Sequence, residues 1–212
     1  SQNPRDHEVA EASAVYRESS CDIIVAVGGG SPMDAAKAIG ILVSNGGAIA
    51  DYEGVDKVRD PMPPLICVPT TAGTAADLSQ FAIINNTTEK KKMAIISKAV
   101  IPDIALLDPE VLVSMDPYLT ACTGVDALVH AVETYTSLGA TPVTEMYSLR
   151  AVELIAASIR SAVWRGNDLA ARSDMALASY LAGVAIANAG TGAVHALAYP
   201  LGGRYRVSHG VS

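Results

Sequence analysis

The hydrophobic pattern of the first half of the chain alternates between helical spacing and short apolar runs. It predicts helices over 7–18 and 31–43, and strands over 23–27, 65–68, 81–84, 93–96 and 104–107. The run 23–27 is β-branched and bounded by glycine, which is typical of a strand in a parallel sheet covered on both faces. The runs 81–84 and 93–96 flank a polar turn and predict a hairpin. An α/β layer is therefore expected.

The second half of the chain has helical periodicity almost throughout. Its pattern predicts helices over 110–114, 119–136, 144–163 and 169–188, with breaks near 115–117 and 139–142. The change in pattern falls at Asp108, where a domain boundary is expected. The predicted fold class is α/β followed by all-α, with a partial Rossmann-like parallel sheet in 1–108 and a helical domain in 109–212.

Three glycines join the first predicted strand to the helix that follows. Ser31 is predicted as N-cap, Pro32 occupies the first helical position, and Asp34 would complete a capping box. Glycines at such a junction admit an anion, which the free N–H groups and the positive helix end favour, so a phosphate site is predicted. Met33 replaces the third glycine of the dinucleotide fingerprint, so an ordinary tight turn is the alternative.

Hydroxyl side chains follow the second buried strand. Thr70, Thr71 and Thr74 surround Gly73 directly after the apolar run 65–68. Ligands of open α/β sheets bind outside the carboxyl ends of the strands, so this segment is a predicted ligand loop. A threonine-rich cap for the next turn is the alternative.

The predicted helix 119–136 carries a carboxylate and an imidazole four residues apart. This spacing places Asp126 and His130 one above the other on the same helix face. Their neighbours are apolar or small, and a buried Asp-His pair needs a further partner to offset its desolvation. A plain side-chain contact within the helix is the alternative interpretation.

Two further histidines bear on this pair. His195 and His209 lie in glycine-rich segments near the end of the chain. One carboxylate and three imidazoles suit Zn²⁺ or Fe²⁺, since no soft thiolate is involved. The sequence thus predicts that Asp126, His130, His195 and His209 share a metal site.

Composition limits the class of protein. Half of the 212 residues are hydrophobic and the mean hydropathy is +0.29, which indicates a large core or a subunit interface. No apolar run reaches bilayer length, the first residues do not resemble a secretory signal, and Cys21, Cys67 and Cys122 are odd in number among apolar neighbours. The net charge is −7. A soluble, cytoplasmic protein with no membrane or nucleic-acid partner is expected.

The motifs of the chain resemble those of the iron-containing (group III) alcohol dehydrogenase family. The matching stretches are 28–34, 69–77, 124–130, His195 with 200–202, and 209–210. The resemblance implies a metal bound by Asp126, His130, His195 and His209. It also implies that NAD or NADP is bound by Gly29, Gly30, Ser31, Asp34, Thr70, Thr71, Thr74 and Lys92.

By the same resemblance the activity is hydride transfer between a small primary alcohol or aldehyde and NAD(P), with Fe²⁺ or Zn²⁺ as the metal. Tyr199 stands where many members carry a further histidine implicated in proton transfer, and is the candidate catalytic residue. A phenol with a pKa of about 10 is a weak general base at neutral pH. The alternatives are a lyase similar to dehydroquinate synthase and a non-catalytic metal-binding derivative.

The chains of this family are longer at both ends. We therefore expect 1–108 to be a dinucleotide-binding domain that is incomplete at its N-terminus, and 109–212 a metal-binding domain that is incomplete at its C-terminus. An apolar face left uncovered favours self-association, so a homo-oligomer is expected. The expected behaviour of the 212 residues alone is metal retention, weak NAD binding and poor turnover.

Overall fold

The computed structural model describes residues 3–205, 207 and 209–212, without the side chains of 199 and 202–205. The described chain forms two compact units. The first comprises Ser1–Pro69 and Ala76–Leu106, and the second comprises Thr70–Ala75 and Leu107–Ser212. The short segment Thr70–Ala75 therefore lies with the helical part of the chain.

The first unit contains two helices and two small sheets. Its elements are α1 (Asp6–Glu18), β1 (Ile24–Gly28), α2 (Gly30–Asn45), β2 (Gly54–Val55), β3 (Leu65–Pro69), β4 (Phe81–Asn86), β5 (Lys91–Ile96) and β6 (Ile104–Ala105). Strands β1, β3 and β6 form a parallel sheet in that order. The predicted hairpin β4–β5 joins the short strand β2 in a separate sheet.

Helix α2 packs on both sheets because it carries apolar residues on two sides. Met33 and Ala36 share a buried cluster with residues of β1 and β3. Ile41 and Leu42 belong to a second cluster with the apolar side chains of the hairpin and of α1. This helix is consequently the centre of the first unit.

The start of α2 differs from the prediction. The N-cap is Gly29, which uses no side-chain hydrogen bond, and the helix begins at Gly30, so Ser31 is not the N-cap and Asp34 completes no capping box. The cause is Gly28, whose φ of 153° turns the chain sharply after β1. A Cβ atom there would lie 2.6 Å from Cγ of Pro32, so only glycine fits.

The parallel sheet is covered on one face only within the described residues. In β1 the side chain of Ala26 is buried, whereas Val25 and Val27 are 57% and 58% exposed. The expectation of a sheet covered on both faces is wrong for this part of the chain, because α2 packs on the Ala26 side alone. An apolar surface is left on the opposite side.

The second unit is helical. A 3₁₀ segment at Pro109–Ser114 replaces the helix predicted over 110–114, and α3 (Pro117–Thr136), α4 (Pro142–Trp164), α5 (Leu169–Ala189) and α6 (Ala193–Tyr205) follow, then a 3₁₀ turn at His209–Val211. The sequence pattern predicted no helix at α6. The fold class of α/β followed by all-α is confirmed.

Small residues let α3, α4 and α5 pack closely. A Cβ on Gly124 of α3 would lie 2.9 Å from side-chain atoms of Ile159 on α4 and Met175 on α5. Alanines such as Ala127 and Ala178 are fully buried in the same core. Among the described residues, none of these helices combines the length and the apolar character that crossing a bilayer requires.

One charged side chain is enclosed at the start of this helical core. Arg172 of α5 is only 2% exposed. Its guanidinium donates to the carbonyl oxygens of Gly166 and Met115, at 2.9 and 3.0 Å, and to Oγ1 of Thr120 at 2.8 Å. These bonds connect α5 to the segment that leads into α3.

Candidate metal centre

Helix α3 supplies the first two side chains of the site. The helix starts with Pro117 at its first position, and the carboxylate of Asp116 accepts the backbone N–H of Leu119 at 2.8 Å. Asp126 and His130 then lie four residues apart on its buried face, 8% and 5% exposed. The helical spacing thus places both side chains as the sequence predicted.

Two separate segments bring the other imidazoles to the same carboxylate. His195 lies in the first turn of α6, and His209 begins the last 3₁₀ turn. Oδ1 of Asp126 is 3.6 Å from Nε2 of His130, 3.8 Å from Nε2 of His195 and 3.5 Å from Nε2 of His209. The donor atoms of Asp126, His130 and His195 all lie within 4.8 Å of one another.

The spacing of these atoms fits a shared metal ion better than a set of hydrogen bonds. Hydrogen bonds to a carboxylate would bring the nitrogens to about 2.7–2.9 Å. Ligand atoms that surround a tetrahedral ion at about 2.1 Å are instead about 3.4 Å apart. The observed 3.5–3.8 Å is close to the second value. The three distances from Oδ1 of Asp126 therefore fit Fe²⁺ or Zn²⁺ ligation, and the group whose donor atoms are mutually close is Asp126, His130 and His195.

The electrostatics of the cluster also favour a cation. Burial raises the pKa of Asp126 to about 7. The pKa of His130 falls to about 3, chiefly because of burial and then because of the neighbouring His195 and His209. The imidazoles of His130 and His195 stack with their centroids 4.8 Å apart. Burial thus favours the neutral imidazole of His130 that metal ligation requires, and a bound cation would stabilise the Asp126 carboxylate that burial disfavours.

Two glycines hold loops directly against α3, one turn before Asp126. A Cβ on Gly73 would lie 2.3 Å from the carbonyl oxygen of Thr123, and a Cβ on Gly210 would lie 2.5 Å from that of Cys122. Any larger residue would push its loop away from the helix. The glycine next to His209 is thus needed for the position of that ligand candidate.

Glu133 is a residue of the site that the sequence reasoning did not single out. Its carboxylate lies 2.6 Å from Nδ1 of His195 and accepts the backbone N–H groups of Gly192 and Val194. Burial acts to raise the pKa of Glu133, but these N–H groups and the imidazole together lower it. Its signal was present, because 126, 130 and 133 follow the i, i+4, i+7 spacing of one helix face.

The residues predicted to bind a dinucleotide in the first unit lie where β1 ends. Gly29 and Gly30 form the start of α2, and Oγ of Ser31 accepts the backbone N–H of Asn3 at 3.1 Å. Burial raises the pKa of Asp34 to about 7, against the opposing effects of Lys37 and of the backbone N–H of Ile83. The cofactor role of Asp34 stays a prediction.

The remaining predicted cofactor residues are divided between the units. Thr70, Thr71 and Thr74 belong to the second unit, and the exposed Lys92 lies on β5 in the first. Oγ1 of Thr71 is buried and has no hydrogen-bond partner in the described part of the chain. The side chain of Tyr199 lies outside the described residues. All of these roles stay predictions.

The comparison with protein families matches both parts of the chain. Residues 1–109 match the family of iron-containing alcohol dehydrogenases, and residues 120–212 match the C-terminal region of the Fe-containing alcohol dehydrogenase family. The chain therefore belongs to the iron-containing alcohol dehydrogenase family. The resemblance inferred from the motifs is confirmed.

Individual relatives and solved structures show which members of the family the chain resembles. An NAD-dependent methanol dehydrogenase of Bacillus methanolicus is 43% identical over 209 residues, which cover 99% of this chain and 55% of the relative. The crystal structure of a 1,3-propanediol oxidoreductase matches the whole chain and 55% of its own, with 45% identity and a TM-score of 0.97. A sulfoacetaldehyde reductase of Bifidobacterium kashiwanohense, solved with NAD⁺, matches at 34% identity and a TM-score of 0.92, over 99% of this chain and 56% of its own. The chain thus spans about half the length of these relatives.

Proposed function

We propose that the chain belongs to a metal-dependent dehydrogenase that transfers hydride between a small primary alcohol or aldehyde and NAD or NADP. The observation that carries the proposal is the convergence of His130, His195 and His209 on one oxygen of Asp126. The kinship with alcohol dehydrogenases supports it, and it does not favour the alternative of a lyase similar to dehydroquinate synthase.

The four side chains have distinct parts in this proposal. Asp126 and His130 are fixed by the backbone of α3, whereas His195 and His209 come from segments that pack on that helix. Together they would hold a divalent ion, which would supply Lewis-acid stabilisation of negative charge on the substrate oxygen. His209 is the most accessible member within the described residues, with a side chain 45% exposed.

In the first unit the dinucleotide would be held by backbone groups at the start of α2. The first N–H groups of α2, at Gly30 and Ser31, have no side-chain cap and suit a pyrophosphate. Bound NAD or NADP supplies the hydride acceptor, and the protein supplies its orientation.

The proposal is tested by metal analysis and turnover of the same preparation. The 212-residue chain, loaded with Fe²⁺ under anaerobic conditions or with Zn²⁺, should hold one ion. It should reduce NAD or NADP in the presence of ethanol, 1,2-propanediol or 1,3-propanediol, slowly and only with the metal. The His195→Ala variant should lose both properties.

His7→Ala is the matched control, because His7 is exposed on α1. It should keep both metal and turnover. If the His195→Ala variant still holds the metal, the four ligands are misassigned. Stoichiometric metal without any turnover of the unchanged chain would instead favour a non-catalytic metal-binding protein.

The homo-oligomer expected from the sequence stays a prediction, which sedimentation of the same preparation would check.

A further inference from the structure

The carboxylate of Glu133 connects His195 to the first turn of α6. Oε2 lies 2.6 Å from Nδ1 of His195 and 2.9 Å from the backbone nitrogen of Gly192. Oε1 lies 2.6 Å from the backbone nitrogen of Val194 and 3.3 Å from that of His195. Glu133 is itself buried, with 6% exposed. Both of its oxygens therefore face N–H groups of one short segment.

These contacts determine the proton position on the imidazole. A backbone N–H can only donate, so both carboxylate oxygens act as acceptors. In the neutral imidazole, Nδ1 of His195 then carries the hydrogen that it donates to Oε2, and Nε2 keeps its lone pair. That lone pair is on the side of Asp126, whose Oδ1 lies 3.8 Å from Nε2.

We propose that Glu133 is a positioning residue of the metal site: it holds His195 in the Nδ1–H tautomer and ties the start of α6 to α3. The inference rests on the proposed function, because it concerns how one of the four proposed ligands is oriented. It extends the site from the donor atoms to the hydrogen bond behind one of them. Such outer hydrogen bonds typically change metal affinity 10- to 100-fold when they are removed.

The informative variant is Glu133→Gln, which keeps the size of the side chain. If its amide oxygen stays near Val194, the amide nitrogen faces Nδ1 of His195 and favours the Nε2–H tautomer. The reversed amide would place its nitrogen 2.6 Å from the backbone nitrogen of Val194, with two N–H donors opposed. With the amide oxygen near Val194, only one backbone N–H, that of Gly192, faces the amide nitrogen instead of an acceptor. This orientation is therefore expected.

Two measurements separate orientation from simple anchoring. The tautomer of His195 is read in the metal-free chain from long-range ¹H–¹⁵N correlations of ¹⁵N-histidine, with His195→Ala to assign the signals. Zinc affinity is read by competition with a chelator. We expect the Nδ1–H form in the unchanged chain, a shift towards Nε2–H in Glu133→Gln, and an affinity lower by about 10- to 100-fold.

The matched control is Asp174→Asn. Asp174 accepts a 2.5 Å hydrogen bond from Ser158 between α4 and α5, so the change also converts a carboxylate to an amide inside the helical unit. It should lower stability but leave the tautomer and the zinc affinity unchanged. If Glu133→Gln does not fold, Glu133→Asp keeps the charge with a shorter reach, and it should retain the tautomer with weaker zinc binding.

Each result bears on the inference. An Nε2–H tautomer in the unchanged chain, or unchanged tautomer and affinity in Glu133→Gln, would overturn it. Weaker zinc binding of Glu133→Gln with the tautomer unchanged would also overturn it, since Glu133 would then only anchor α6. A chain that shows the tautomer shift but binds no zinc would refute the proposed metal site and leave the Glu133–His195 relation standing.

Discussion

Replacing Arg172 with methionine tests whether the enclosed guanidinium stabilises the helical unit. Methionine keeps an unbranched stem and removes three hydrogen bonds. Gly166 is half-buried and can turn to water, but Thr120 and Met115 are only 3% and 6% exposed. Each enclosed acceptor left without a donor costs about 1–3 kcal/mol, and relief of the buried charge offsets part of this. We expect a net loss of about 2–4 kcal/mol.

Urea unfolding followed by circular dichroism at the helical band measures this loss. With a denaturant slope of about 2 kcal/mol per M, the midpoint should fall by about 1–2 M. Arg150→Met is the control, because Arg150 is exposed and, among the described residues, pairs with Glu153 on its own helix. It should change stability by less than about 0.5 kcal/mol. A midpoint of Arg172→Met equal to that of the unchanged chain would show that desolvation of the guanidinium cancels its hydrogen bonds.

Two further predictions concern pH and turnover. Burial raises the pKa of Asp34 from 3.8 to about 7, so the folded state keeps a proton that the unfolded chain releases, and the free energy of unfolding should fall as pH rises between these values. Asp34→Asn should remove this fall, and Lys37 is the charged neighbour in both proteins. The assignment would be contradicted if the free energies of unfolding of the two proteins differed by the same amount at about pH 5 and at about pH 7.5. Tyr199→Phe should keep most of the turnover, because water can accept the substrate proton where a phenol is a weak base. A loss of turnover with the metal still bound would show that the phenol takes part.

The sequence predicted the part of the site that depends on helical spacing. Asp126 and His130 lie four residues apart on a predicted helix, and their apolar neighbours indicate that this helix is buried. The structure places both side chains on the buried face of α3. The approach of His195 and His209 depends on tertiary packing, which no local spacing reports. Their inclusion rested on the chemistry of imidazole ligands and on the family resemblance.

Helix α6 was missed because local signals oppose it. Gly202, Gly203 and Pro200 all lie within Ala193–Tyr205, and each is a poor residue for a helix interior. The N–H groups at its start are accepted by Glu133, which is 62 positions away from His195 in the chain. A cap supplied from another helix leaves no mark on the local sequence.

The start of α2 was misjudged for the opposite reason. Ser31, Pro32 and Asp34 form a strong local start signal, but the conformation of Gly28 sets the turn earlier and makes Gly29 the N-cap. Similarly, the apolar run of β1 indicated two buried faces, because an apolar side chain carries no record of whether anything covers it. The sequence therefore predicts burial for Val25 and Val27 as well as for Ala26, although only Ala26 is buried.

The segment Thr70–Ala75 makes the helical unit discontinuous along the chain. The polypeptide enters that unit after Pro69, leaves it after Ala75 and enters it again at Leu107. If the chain is divided near Leu106, where the helical part of the sequence begins, the C-terminal fragment lacks the loop in which Gly73 packs against Thr123 of α3. Any exchange of helical units between relatives would therefore have to carry these six residues along.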